Sequence, residues 1–220
     1  MAIPFSWQLI NLLAALLLLI AFAMLAQRRV TALIGLYAGQ GLVLAASTAA
    51  MARISGLPHL YVSAALTLAL KVFALPWLLH RVIRRLEIRW EVEPLINIPA
   101  TMLVGIGLVI FAFNLAEPIS QMASPITRST LGIATASVLL AFLMMITRRK
   151  AVTQVIAFLA MENGLFFAAT SATRGMPLVV ELGIALDVLV GALIFGIFFF
   201  HIRETFDSLD IHHMEKLKEH

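Results

Sequence analysis

The 220-residue chain contains no cysteine. That excludes disulfides, iron–sulfur clusters and thiolate metal sites within it. Charge is also scarce: Asp, Glu, Lys and Arg make up 13% of residues, against 61% hydrophobic. Mean hydropathy is +0.98, far outside soluble globular usage. There is no phosphate-cradling glycine loop, nucleophile elbow or zinc signature, so no motif points to soluble chemistry. The opening "MAIPFSWQ" lacks a basic region, and the apolar run from Leu9 is long enough to span a bilayer, so a cleaved signal is not expected. His80 and His201 fall at helix ends, an ordinary interfacial placement, and His212-His213 lies in a mixed-charge tail that reads as solvated or partner-binding. No metal site is expected.

What is present is apolar sequence in long runs. A spanning helix needs roughly 20 mostly apolar residues, and seven candidates occur, at about 6–26, 31–52, 59–80, 95–115, 127–147, 151–172 and 178–201. The expected fold is an all-α integral membrane protein of seven transmembrane helices in the lipid bilayer. Pro94, Pro99, Pro118 and Pro125 are expected to bracket the fourth helix and punctuate its loops. The net charge of +4 lies at the membrane boundaries and does not signal nucleic acid. One set of boundary segments holds Arg28, Arg29, Arg81, Arg84, Arg85, Arg89, Arg148, Arg149, Lys150, Arg203, Lys216 and Lys218; the other holds Arg53, Arg128 and Arg174. Twelve basic residues against three place the N-terminus outside and the C-terminus in the cytoplasm.

The chain also repeats itself. "RRVTALIGLYAGQGLVLAAST" from Arg28 matches "RRKAVTQVIAFLAMENGLFFAATS" from Arg148, and "GLP" at 56–58 matches "GMP" at 175–177. A parallel repeat of 3 + 1 + 3 helices follows. Residues 1–93 form a first three-helix unit ending in a charged cytoplasmic linker, 94–126 hold the connecting helix, and 127–220 form a second unit with a cytoplasmic tail. The linker "RVIRRLEIRWEVE" (81–93) reads as an interfacial stretch with Trp90 at headgroup level, or as a docking surface for a cytoplasmic partner.

Four ionisable residues fall inside predicted spans: Lys71, Glu162, Glu181 and Asp187. A charge at the bilayer centre costs about 2.5–3.5 kcal/mol on insertion scales, so such residues rarely face lipid. Glu162 lies 12 residues beyond Lys150, roughly 18 Å inward and near the midplane. Asp187 lies 10 residues beyond Pro177, at a similar depth from the opposite side. Glu181 is about one turn inside the outer boundary and reads as an interfacial acid. Lys71 falls about one turn from the position matching Asp187, so one unit carries a buried base and the other buried acids. Two readings stay open. The acids are neutral, hydrogen-bonded helix glue, to Asn163 or Gln154 for example; or they belong to a proton path, since a buried carboxyl with compensating neighbours can exchange a proton near neutral pH. Gln40, Thr67, Gln154 and Asn163 suit either reading.

The segment "RRKAVTQVIAFLAMENGLFFAA" resembles the second helix of subunit K of NADH-quinone oxidoreductase, a family that includes the corresponding small membrane subunit of multisubunit sodium/proton antiporters. In that family an arginine pair precedes a helix carrying a glutamate and a nearby asparagine. The third helix carries a second acid followed four residues later by glycine. Arg148-Arg149, Glu162, Asn163, Asp187 and Gly191 fill those places here. Glu162 is displaced by about one turn, and Asp187 replaces the usual glutamate. In the first unit Tyr37 stands where that family has its first glutamate, and Lys71 stands near the second. At full length the chain resembles hydrogenase-4 component E, the subunit-K-like membrane protein of formate-hydrogenlyase-type group 4 [NiFe] hydrogenases. That resemblance implies a non-catalytic subunit in a bacterial or archaeal inner membrane. Its partners would be antiporter-like and subunit-H-like membrane subunits and a peripheral hydrogenase arm. The nickel-iron centre and iron–sulfur clusters would belong to those partner chains, with no cofactor in this one. Glu162, Asp187 and Lys71 would form its proton path, supported by Asn163, Gln154, Glu181 and Gln40. A cation/proton antiporter subunit, or a purely structural membrane scaffold, are the alternatives.

Overall fold

The computed structural model describes residues 5–85, 96–120 and 125–173, and beyond these residues 183, 186–191, 193 and 194. Every regular element among them is helical: α1 (Phe5–Ala26), α2 (Val30–Ser55), α3 (His59–Thr67), a π-helical segment (Leu68–Ala74), α4 (Leu75–Arg85), α5 (Ile98–Ser120), α6 (Pro125–Thr147) and α7 (Ala151–Thr173). Residues 186–191 are also helical. Six stretches among the described residues are long and apolar enough to cross a bilayer, with α3, the π segment and α4 joined in one of them (His59–Arg84). The chain is a multi-pass membrane protein. The six expected spans that fall on these residues coincide with the observed helices to within a few residues. Most of the expected seventh span, 178–201, lies outside the described residues, as do Glu181, residues 86–95 of the linker region and the tail.

One expectation needs correction, and one span holds an irregularity. Pro118 does not punctuate a loop: α5 runs through it to Ser120 instead of stopping near 115. Pro118 removes the bond that an N–H there would give the carbonyl four residues back, and it does so in the last turn, with only two helical residues beyond it. The third span is not a uniform α-helix either. Its middle widens into a π turn in which the Leu75 N–H donates to the Leu70 carbonyl, five residues back. Pro76 follows at once and has no N–H to donate, so the regular ladder is interrupted there and the wider turn absorbs the mismatch.

In lipid the apolar effect does not hold helices to one another; close packing and interhelical hydrogen bonds do. Glycines supply the close approaches. A Cβ on Gly41 of α2 would sit 2.8 Å from Lys71 Cβ and 3.3 Å from its carbonyl carbon. On Gly164 of α7 it would sit 2.9 Å from Val138 Cγ2 and 3.2 Å from the Val138 backbone nitrogen in α6. Around these contacts α1 packs on α2 and α6, and α2 packs on α3, the π segment and α7. Arg148, just past α6, donates through Nη2 to the carbonyl of Leu25 in the last turn of α1, at 2.6 Å. The C-terminal ends of α1 and α6 therefore lie side by side.

The buried apolar residues fall into two layers. One holds Met24, Leu33, Tyr37, Leu79, Leu140, Met144, Ile156 and Leu159 with their neighbours. The other holds Ile10, Leu17, Leu44, Met51, Leu60, Ala134 and Phe167. On α2 the break between layers falls after Tyr37 and before Leu44, and on α7 after Ala160 and before Phe166. Gln40 and Gly41 occupy the first gap, and Glu162, Asn163 and Gly164 the second. A thin polar layer thus separates two apolar ones at mid-helix.

Candidate functional site

Lys71 sits in the polar layer, 1% exposed, on the π-helical segment. Its Nζ lies 2.8 Å from Glu162 Oε1 of α7 and 2.9 Å from Asp187 Oδ1. Both acids are buried, at 3% and 2% exposure. The contact to Glu162 is a charge-assisted hydrogen bond. The contact to Asp187 is an ion pair whose angles fall short of a hydrogen bond, since Asp187 Oδ1 accepts none. Lys71 thus bridges two acids that the chain places 91 and 116 residues downstream.

The local sequence explains the arrangement. Gly41 offers no side chain, so the π segment approaches α2 closely at Lys71. Lys71 itself lies within the π segment. Tyr37, fully buried one turn before Gln40, lies within electrostatic range of both acids. At the same level Asn163 Nδ2 donates to Gln40 Oε1 at 3.1 Å, joining α7 to α2.

The cluster has a charge problem that a proton solves. One ammonium and two carboxylates sum to −1, and at the centre of a membrane a net charge is costly. With one proton on the acid pair the cluster is neutral. The surroundings are polar yet incompletely paired. Among the described residues Tyr37 Oη, Gln40 Nε2, Glu162 Oε2 and Asn163 Oδ1 are buried without a hydrogen-bond partner. Each such group costs about 1–3 kcal/mol if it stays dry, and groups of this kind call for water or an ion.

Of the residues expected at the site, the structure brings together Lys71, Glu162 and Asp187, with Asn163 and Gln40 adjoining at the same level. Gln154 is not among them. Its Nε2 donates to the Arg148 carbonyl at 2.9 Å, near the start of α7. Of the two amides named as partners for the acids, Asn163 donates to Gln40 and Gln154 to the Arg148 carbonyl. In the sequence Arg148 reads as an ordinary boundary charge, but it is 2% exposed. Its burial lowers the guanidinium from its ordinary range, and arginine nonetheless stays protonated. The sequence signal for the helix irregularity is Pro76, five residues after Lys71, which a reading of charge and hydropathy passes over.

A helical bundle with six spans among the described residues and an ion triplet buried at mid-helix defines the class: a multi-pass membrane protein built around buried titratable groups. An uncharacterized protein of Mycobacterium tuberculosis, Rv0085, is 34% identical to it over 151 residues, which cover 68% of this chain and 69% of that protein. The chain belongs to the same family as Rv0085, whose name assigns no activity. No family model and no solved structure matches the chain.

Proposed function

We propose that the chain is a membrane subunit of a hydrogenase-4 or formate-hydrogenlyase-type group 4 [NiFe] hydrogenase complex, and that Lys71, Glu162 and Asp187 exchange a proton within its translocation path. The observation carrying this reading is the lysine bridging two buried acids at mid-helix. A packing role alone does not require three ionisable groups there, because apolar residues of similar volume stabilise as well as a buried ion pair or better. The charge count favours an external N-terminus and a cytoplasmic C-terminus in an inner membrane. The side-by-side C-terminal ends of α1 and α6, and the pairing of α2 with α7, support two parallel three-helix units joined by α5. Only 17% of the apolar window of α5 is buried, against 56% for α2 and α7. That leaves a broad face for lipid or for antiporter-like and subunit-H-like neighbours. The nickel-iron centre and iron–sulfur clusters belong, on this reading, to the peripheral partner chains.

The test is proton pumping by the reconstituted complex carrying Glu162→Gln or Asp187→Asn. Loss of coupling in an intact complex is expected, and unchanged coupling in both variants overturns the reading. A sodium/proton antiporter assembly would use the same cluster. Co-purification of the tagged chain separates the two: nickel and iron–sulfur subunits mark the hydrogenase, antiporter subunits alone mark the rival. The open face of α5 also suits a scaffold, which requires that neutral replacements at 162 and 187 cost no activity.

A further inference from the structure

Two buried hydroxyls are left over. Ser63 and Thr67 of α3 are 3% and 1% exposed, and neither side-chain oxygen has a hydrogen-bond partner among the described residues. Hydroxyls in an apolar helix normally turn back to the carbonyl three or four residues earlier. Elsewhere in this bundle they do: Ser47 and Thr48 donate to Leu44, Thr101 to Asn97, and Thr170 to Phe166. Ser63 and Thr67 do not satisfy themselves in this way, although both are buried.

Their positions are ordered. His59, Ser63, Thr67 and Lys71 recur every fourth residue, one oblique row along the helix from its first residue to the ion cluster. His59 is half-buried at the helix start, Ser63, Thr67 and Lys71 are buried, and Tyr61, Val62, Ala65 and Leu66 are exposed on the other side. Four helical residues rise about 6 Å, and two hydrogen bonds of about 2.8 Å end to end span nearly that distance. A single water can therefore bridge each step of the row, and each hydroxyl can both accept and donate.

We infer that the Ser63–Thr67 row is a hydrated access path linking the membrane face at His59 to Lys71, so that the cluster exchanges protons with the compartment on that side. The charge count makes that side the outside. The inference rests on the proposed proton-exchanging role of the cluster and adds the route by which protons reach it. The row supplies oxygen ligands and water, with no covalent step; a proton moves along it by exchange between hydroxyls and water.

The absence of cysteine makes the test clean. Single substitutions Ser63→Cys, Thr67→Cys, Val62→Cys and Leu66→Cys are placed in the tagged full-length chain. Sealed membrane vesicles of known sidedness are exposed to silver ion, a small membrane-impermeant cation that blocks hydrated thiols. The chain is then purified, unfolded and reacted with a fluorescent maleimide. Silver added outside should abolish maleimide labelling at 63 and 67 and leave it at 62 and 66, which face away from the row. A complementary readout is Thr67→Val, expected to slow proton movement in the reconstituted complex, with Thr67→Ser restoring it. Full labelling at both 63 and 67 after external silver overturns the path, as does blocking only from the cytoplasmic side. The two readings fail separately. If Glu162→Gln stops proton movement and silver never reaches 63 or 67, only the path falls. If silver reaches both and Glu162→Gln leaves proton movement intact, the path stands as a water-filled cleft and the proposed role of the cluster falls.

Discussion

In α6, Thr135, Ser137 and Thr147 each donate to a carbonyl four residues back, at 2.9, 2.9 and 2.7 Å. In α3, Ser63 and Thr67 make no such bond and are buried all the same. Both helices are apolar and lie in the same bundle. The contrast shows that a polar residue in a membrane helix says little by its identity alone. What matters is whether its own backbone already satisfies it. The hydroxyls of α6 are satisfied within their helix, whereas those of α3 lie on the side that leads to a lysine and two acids.

The largest effect is expected at Lys71. Lys71→Met leaves two buried carboxyls without their cation, and removing one partner of a buried pair costs about 3–5 kcal/mol. We expect a clear fall in thermal stability of the purified chain. Replacing all three groups together, as Lys71→Met with Glu162→Gln and Asp187→Asn, should recover most of it. If the single change is harmless, the three groups do not hold one another as a paired unit.

A smaller effect is expected at the glycine that lets the cluster form. Gly41→Ala drives a methyl against the Lys71 backbone, and overpacking of this kind costs about 1–3 kcal/mol. Gly35, on the same helix, has nothing within 4 Å of its added Cβ. There the same substitution should stabilise by about 0.5–1 kcal/mol through helix propensity. Melting curves of the two variants should move in opposite directions.

The Gln40–Asn163 bond comes next. Interhelical side-chain bonds in membranes average about 0.6 kcal/mol in double-mutant cycles. A cycle of Gln40→Leu and Asn163→Leu should give a coupling energy of about that size, and a value near zero would mean that the two amides do not tie α2 to α7. The least effect is expected on the α6 side: Thr135→Val should change stability by less than about 0.5 kcal/mol and leave proton movement untouched, unlike Thr67→Val.

Much of this arrangement is legible in the sequence. Helix placement follows from run length, because a bilayer imposes a fixed apolar span. Lys71, Glu162 and Asp187 stand out because charge is conspicuous in such runs, and Gln40 and Asn163 because they are polar residues at mid-span. Their mutual contacts are not legible. Depth along each helix can be counted from a boundary, but rotation about each helix axis and the choice of neighbour depend on packing. The close approach at Gly41 and the π turn before Pro76 set both. Gln154 misleads for the same reason, since its helix is right but its reach runs back to Arg148. Arg148 itself reads as a solvated boundary charge, because counting basic residues per loop does not see the open carbonyl of Leu25 beside it.

Whether the bridged acids hold and release a proton is read by infrared difference spectroscopy of the purified chain across a pH titration, native against Glu162→Gln and Asp187→Asn. A carbonyl stretch from a protonated carboxyl should grow as pH falls and be lost or displaced in both variants. A native spectrum with no titrating carboxyl band, or a band identical in all three proteins, would contradict it.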